Sequence, residues 1–301
     1  MDLSTASLAE HAPAKINLAL HVTGSRPDGF HLIESLAVFT QVGDCVTVAA
    51  ASEDSFSASG PFGAEIPLDG GNLVVRARDV SRAAFPALAR SSVSISVEKN
   101  LPIASGIGGG SSDAAATLRA LVRHWRIETD VDALCGLGLR LGADLPMCLA
   151  SRPLIARGIG EKIEPLIAFP ALHMVLVNPG VAVSTPDVFR ALESHENPGL
   201  SSLPFFDRPF GDVCGWLAAT RNDLQAPAMS IAPVISEALE ALESAGAGFA
   251  RMSGSGATCF GLFETAGAAA RAADEIRARQ SGWWVVATES IASKDSADVP
   301  A

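Results

Sequence analysis

Four short stretches place residues where they could act on a phosphate. The longest is LPIASGIGGGSSDAAATLRAL, residues 101–121, in which Gly106, Gly108, Gly109 and Gly110 precede an alanine-rich run. Glycines directly before a helix lay bare backbone N–H groups, where unsatisfied donors and the helix dipole both favour an anion. Glycine suits such a loop because a side chain would hold ligand oxygens off the backbone, and because positive φ is often needed. The same residues also read as a loop that only turns a corner, with Ser111 or Ser112 capping the helix and Asp113 in its first turn. Two familiar phosphate motifs are excluded. No Gly-Lys pair occurs, so G-x-x-x-x-G-K-S/T is absent, and the G-x-G-x-x-G step from Gly106 and Gly108 lands on Ser111.

Near the start, PAKINL (13–18) sets Lys15 and Asn17 two positions apart, hence on one face of a strand. A lysine between apolar neighbours equally reads as a snorkelling surface residue. GADLP (142–146) puts Asp144 just after a helix end, where an acid serves a turn or a cap as readily as a reaction. RMSGSGATCF (251–260) holds Gly254 and Gly256 before an apolar segment and by itself reads as a tight turn.

The elements that must position these residues follow from periodicity. Residues 92–98, SVSISVE, alternate cleanly and predict a strand leading into the glycine-rich loop. Strands are also expected over 14–22, 31–39, 46–50, 173–178, 258–263 and 283–288. Residues 52–71, rich in Ser, Gly, Asp and Pro, suggest turns and a hairpin. Helices are expected over 72–85, 112–125, 132–141, 185–193, 231–245 and 266–280, with Gly142 ending the third and Pro186 in the first turn of the fourth. Residues 195–212 read as a loop. Strands followed by helices suit an α+β domain better than regular βαβ alternation.

At 301 residues the chain has room for two ordinary domains of roughly 100–200 residues. Its 48% hydrophobic and 18% charged content supplies a sizeable core. The net charge of −11 argues against non-specific binding to nucleic acid or anionic membrane, so local structure must hold any anionic ligand. The five cysteines are widely spaced without a C-x-x-C pair, which points to reduced thiols in the cytoplasm. No basic segment precedes an apolar run at the start, and no apolar run reaches the roughly 18 residues of a membrane span, so neither a signal peptide nor a membrane partner is expected.

In their order and spacing, PAKINL, PDGFH (27–31), LPIASGIGGGSSDAA, GADLP and RMSGSGATCF closely resemble the GHMP kinase superfamily over about residues 13–263. PAKINL together with PDGFH is similar to the branch acting on a cytidine-bearing substrate. The resemblance implies an α+β, two-domain GHMP kinase fold: a ribosomal S5 domain 2-like N-terminal domain, residues 1–157, and a ferredoxin-like C-terminal domain, residues 158–301. It also implies an ATP-dependent kinase phosphorylating the C2 hydroxyl of cytidine diphosphate methylerythritol, with ATP and substrate in a cleft between the domains. Mg²⁺ is expected with the nucleotide, its ligands unassigned. The partners are then small molecules, with no nucleic acid and no membrane, and the chain is a monomer or weak homodimer.

Carried onto this sequence, the resemblance has Pro102, Ile103, Ala104, Ser105, Gly106, Ile107, Gly108, Gly109, Gly110, Ser111 and Ser112 wrap the ATP phosphates, with Asn72 near the nucleotide. Asp144 looks like the catalytic base, Lys15 its charged partner, and Asn17 a substrate holder. His31 resembles the residue bonded to the cytosine, Phe30 and Phe189 would stack on its two faces, and Thr185 is similar to a substrate-contacting position. Stacking of this kind contributes about 1–3 kcal/mol per base. Three departures stand out. Phe30 replaces a frequent Tyr in a chain without tyrosine, which keeps stacking but not a phenol hydrogen bond. Asp113 stands where Asn is common; capping the helix is its expected role, and holding Mg²⁺ the alternative. Ala104-Ser105 replaces a common Gly-Gly pair. Other readings are a GHMP kinase of homoserine or mevalonate type, and a silent nucleotide-binding protein on the same fold.

Overall fold

The computed structural model describes residues 7–204, 206 and 208–293. Two long strands, β1 (Leu8–Ser25) and β2 (His31–Ala50), open the described chain and pair with each other. The two strands expected over 31–39 and 46–50 are thus one. Between the two expected segments lies Gly43, whose Cβ would lie 2.4 Å from the Ala12 carbonyl oxygen and 2.8 Å from the Pro13 Cα. It marks a close approach of β1 and not a strand end.

The residues divide into two compact units, each discontinuous in sequence. Among the described residues the first contains 7–14, Gly43–Ile103 and Gly108–Ala150; the second contains Lys15–Val42, Ala104–Ile107 and 151–293. A single cut at 157/158 does not express this grouping.

In the first unit, β3 (Ser55–Ser59) runs parallel to β4 (Val93–Glu98), and β4 pairs antiparallel with the end of β2, Val46 opposite Val97 and Val48 opposite Ile95. The hairpin expected within 52–71 is therefore corrected. The partner of β3 is a strand nearly forty residues on, which no local turn signal reveals. Helix α1 (Leu73–Ala84) starts at Asn72, whose Oδ1 accepts the Val74 N–H at 2.9 Å. Helix α2 (Gly109–His124) follows the glycine-rich loop, and α3 (Val131–Leu139) and α4 (Leu145–Ala150) complete the unit. Val46, Val48, Val93, Ile95 and Val97 on the sheet meet Ala116, Ala120 and Leu121 of α2 in a buried core. Small alanines let the helix lie close to the sheet, and their high helix propensity favours it there.

In the second unit, the start of β2 pairs with β5 (Leu154–Gly158), which forms a hairpin with β6 (Lys162–Pro165). Then come β7 (His173–Asn178), α5 (Thr185–Arg190), α6 (Pro209–Ala218), α7 (Gln225–Ile231), α8 (Val234–Ser244), β8 (Phe249–Met252), β9 (Cys259–Phe263), α9 (Ala266–Arg279) and β10 (Trp284–Glu289). The sheet order β10-β7-β9-β8, all antiparallel, is the order fourth-first-third-second in the chain. With helices after the first and third strands, that is the β-α-β-β-α-β ferredoxin-like arrangement. The loop expected over 195–212 yields at its end to α6, with Pro209 in the first turn; Phe205 and Asp207 of that loop lie outside the described residues. No helix among the described residues is long and apolar enough to cross a membrane.

Candidate active site

The glycine-rich loop is held differently along its length. Residues 104–107 belong to the second unit and rest on the RMSGSGATCF turn. Ser253 Oγ donates to the Gly106 carbonyl at 3.1 Å and accepts the Asn17 N–H at 3.0 Å, while the Thr258 N–H donates to the Ser105 carbonyl at 3.1 Å. A Cβ on Gly106, φ 76°, would sit 2.5 Å from the Ser253 carbonyl oxygen, so only glycine fits. The sequence made this turn look like mere punctuation; it is the seat of the loop. Asn222 Nδ2 fixes the seat by donating to the Met252 and Gly254 carbonyls, both at 2.8 Å. Ala104, φ 50°, occupies the left-handed region at a cost of order 1 kcal/mol, which a glycine would avoid.

Residues 108–112 belong to the first unit. The N-cap of α2 is Gly108, φ 67°, and neither Ser111 nor Ser112 takes that place. Ser112 Oγ instead donates inward to the Pro13 carbonyl at 2.7 Å. The cap expected of Asp113 is likewise corrected. Asp113 lies beyond the first turn, buried, with Oδ2 2.7 Å from Lys99 Nζ, which also holds Asp44 Oδ2 at 2.5 Å. Burial pushes the Asp113 carboxyl up to about 7, Lys99 pulling it down and Asp44 pushing it further up. Burial alone would lower Lys99, but the two carboxylates outweigh it and leave its pKa raised. The cation beside Asp113 is thus an ammonium, a poor neighbour for Mg²⁺. Among the described residues no group of three or more His, Cys, Asp or Glu is arranged to hold a metal.

Lys15 is buried on β1, and its N–H donates to the Ile107 carbonyl at 2.9 Å, tying the lysine strand to the loop within the second unit. On the same face Asn17 donates from Nδ2 to Ser35 Oγ at 2.7 Å, while its Oδ1 is buried without a hydrogen-bond partner. That oxygen is an acceptor waiting for a donor. Arg251 supports this stretch of β1 from behind, donating to the Leu18 carbonyl at 3.0 Å and to Leu217 and Thr220. Burial, with Arg221 nearby, brings its pKa down to about 10. In the first unit Asp144 stands at the start of α4, its carbonyl accepting the Cys148 N–H at 3.1 Å. Asn72 spends its side chain on capping α1 and on the Pro67 carbonyl.

The remaining expected residues lie in the second unit. His31 stacks on Phe189 with centroids 4.6 Å apart and planes 9° apart, and on His195 at 5.1 Å and 22°. His31 and His195 each bury an unpartnered Nδ1. Burial lowers the His31 pKa, with His195 adding to the fall, so the neutral ring prevails at neutral pH. Phe30 is 54% exposed and enters no ring contact among the described residues. Thr185 Oγ1 and Ser255 Oγ share a hydrogen bond at 2.7 Å. Sequence reasoning missed Lys99, Asp44, His195 and Ser253. Lys99 was visible only as one of four lysines.

Comparison with known proteins shows the family. The family described as GHMP kinases N terminal domain matches residues 72–152, and GHMP kinases C terminal matches 207–281. A protein of Mesorhizobium japonicum named 4-diphosphocytidyl-2-C-methyl-D-erythritol kinase is 55% identical, covering 98% of this chain and 99% of its own. One of the same name from Agrobacterium fabrum is 52% identical, covering 94% and 96%. The crystal structure of a 4-(cytidine 5'-diphospho)-2C-methyl-D-erythritol kinase superposes with a TM-score of 0.76 at 34% identity, over 94% of this chain and all of that one. Homoserine kinase from Cytophaga hutchinsonii, at 15% identity and a TM-score of 0.71 over 98% of both chains, shares the fold.

Proposed function

The chain belongs to the GHMP kinases, among the 4-diphosphocytidyl-2-C-methyl-D-erythritol kinases, and from that premise we propose how its residues carry the family's reaction. It transfers the ATP γ-phosphoryl group to the C2 hydroxyl of 4-diphosphocytidyl-2-C-methyl-D-erythritol, giving the 2-phosphate and ADP, in the non-mevalonate isoprenoid pathway. The hydroxyl oxygen attacks the γ-phosphorus in line, the bond to the bridging oxygen breaks, and ADP leaves with that electron pair. Such transfer needs positioning and neutralisation of spread charge more than covalent help.

In our reading Asp144 accepts the hydroxyl proton and Lys15 stabilises the charge on the transferring group. The observation that supports this reading best is the bond from the Lys15 N–H to the Ile107 carbonyl, because it fixes the lysine strand to the loop assigned to ATP. The N–H groups at the start of α2 receive phosphate oxygens; Mg²⁺ bound to the nucleotide would supply further neutralisation of phosphate charge. Ile107 and Ser112 shape the loop from inside, since both side chains are buried. Asn17 Oδ1 accepts a substrate hydroxyl. In this reading the cytosine is bonded by His31, whose ring lies against and parallel to that of Phe189; Phe30 stacks on the base, and Thr185 contacts the substrate. The cytoplasm and a monomer or weak homodimer are the setting we propose.

ADP release with ATP, Mg²⁺ and 4-diphosphocytidyl-2-C-methyl-D-erythritol tests this, with homoserine and mevalonate as controls. Turnover is expected with the cytidine substrate alone, and its absence overturns the reading. Asp144→Asn is expected to lower kcat by about 10²–10⁴ with ADP affinity unchanged. Unaltered turnover removes Asp144 from the chemistry.

A further inference from the structure

The reaction leaves one buried ionic cluster unused, that of Asp44, Lys99 and Asp113. We infer that this cluster positions the start of α2 for the nucleotide phosphates, and that Asp113 takes up a proton when they bind. The inference rests on the reading of residues 108–112 as a phosphate site.

The geometry ties both ends of the glycine-rich loop to one point. Asp44 Oδ1 accepts the N–H groups of Asn100 and Leu101 at 2.6 and 2.9 Å, fixing the chain as it leaves β4. Asp44 Oδ2 holds Lys99 Nζ, which reaches across to Asp113 Oδ2 on α2. Gly109, the first residue of that helix, lies so close that a Cβ there would be 3.0 Å from Lys99 Nζ. The ammonium therefore sits against the helix start, and a side chain at 109 would press on it.

The charge is unbalanced. Two carboxylates share one ammonium, and Asp113 Oδ1 is buried with no hydrogen-bond partner. Ionised, the cluster leaves a negative charge behind the N–H groups that must receive a polyphosphate. Burial has already moved the Asp113 carboxyl to about 7, so a further negative charge at the helix start shifts it to the protonated form. Binding and proton uptake are then reciprocal.

Of the other titratable groups nearby, His11 also feels Asp44, while Glu10 and the arginines pair elsewhere or are exposed. On β1, His11 is lowered by its burial and by Arg119 and is raised by Asp44, while Glu10 pairs with Arg119 and Arg123 of α2. Of α1, Arg78 pairs with Asp54 and Asp79, and Arg76 is exposed. The α4 helix brings the buried thiol of Cys148.

Calorimetric titration of the whole protein with ADP near pH 8, in two buffers of different ionisation heat, counts the protons exchanged. The wild type is expected to take up roughly 0.4 proton per ADP more than Asp113→Asn, if binding raises the carboxyl by about one unit. Its ADP affinity is expected to weaken several-fold from about pH 7.5 to 9, and that of Asp113→Asn to stay level. Equal proton counts overturn the inference, even if the variant melts at a lower temperature, because a purely structural role would change only the melting. Should Asp113→Asn fail to fold, the wild-type profile decides, and a level one overturns the inference. If ADP binds to neither protein, the phosphate reading fails and the linkage falls with it.

Discussion

The two parts of the glycine-rich loop are secured by opposite means. Residues 108–112, with α2 behind them, are anchored by charge, through the Lys99 ammonium between two carboxylates. Residues 104–107 are anchored by neutral groups, through the Ser253 hydroxyl, the Thr258 N–H and a glycine that admits no side chain. A buried ionic anchor is all-or-none, because removing one partner strands the others as uncompensated charge. A neutral anchor fails by degrees, one hydrogen bond at a time. The first also responds to pH, and the second does not.

The largest expected effect therefore lies at Lys99. Lys99→Met leaves Asp44 and Asp113 facing each other and should cost about 3–5 kcal/mol in denaturant unfolding. The loss should be greater near pH 8 than near pH 5.5. In the wild type the folded Asp113 carboxyl, at about 7, stands above its ordinary 3.8, and its contribution to stability falls as pH climbs between those values. Without the ammonium that pulls it down it stands higher still, so the variant goes on losing stability above pH 7 where the wild type has levelled off. A loss independent of pH would erase the contrast between the two anchors.

Ser253→Ala should cost less, about 1–3 kcal/mol, since it strands the Asn17 N–H and one acceptor oxygen. The same unfolding measurement should show no pH dependence across that window. A loss equal to that of Lys99→Met would show that charge gives the anchor no special weight. The smallest change is Ala104→Gly, which relieves a left-handed alanine and should raise Tm slightly, by less than about 1 kcal/mol of stability. A fall in Tm would mean that Ala104 is not strained.

How much of this was legible depends on the range of the interaction. The alternation in SVSISVE marked β4 and the alanine run marked α2, because both patterns are local. PAKINL correctly put Lys15 and Asn17 on one strand face. The role of Asp113 was not legible. From sequence it could only cap a helix or hold a metal, since its partner Lys99 lies across the loop and Asp44 is 55 positions before Lys99. Gly254 looked like part of a turn because the carbonyl it lies against belongs to Gly106, and Ser253, between it and β8, bonds across 147 positions. His195, in a segment that reads as loop, showed no signal at all.

The sequence by itself determined the local elements, and its motifs in their order marked the kinase family and the cytidine substrate. Those depend on residue type and short spacing, which the chain carries wherever it folds. Only the tertiary structure decided which charges are buried together, which glycine is pressed against which carbonyl, and which rings stack on His31. Desolvation, ion pairing and van der Waals exclusion act through distances in space, and folding alone brings residues 44, 99 and 113, or 17, 106 and 253, within reach of one another.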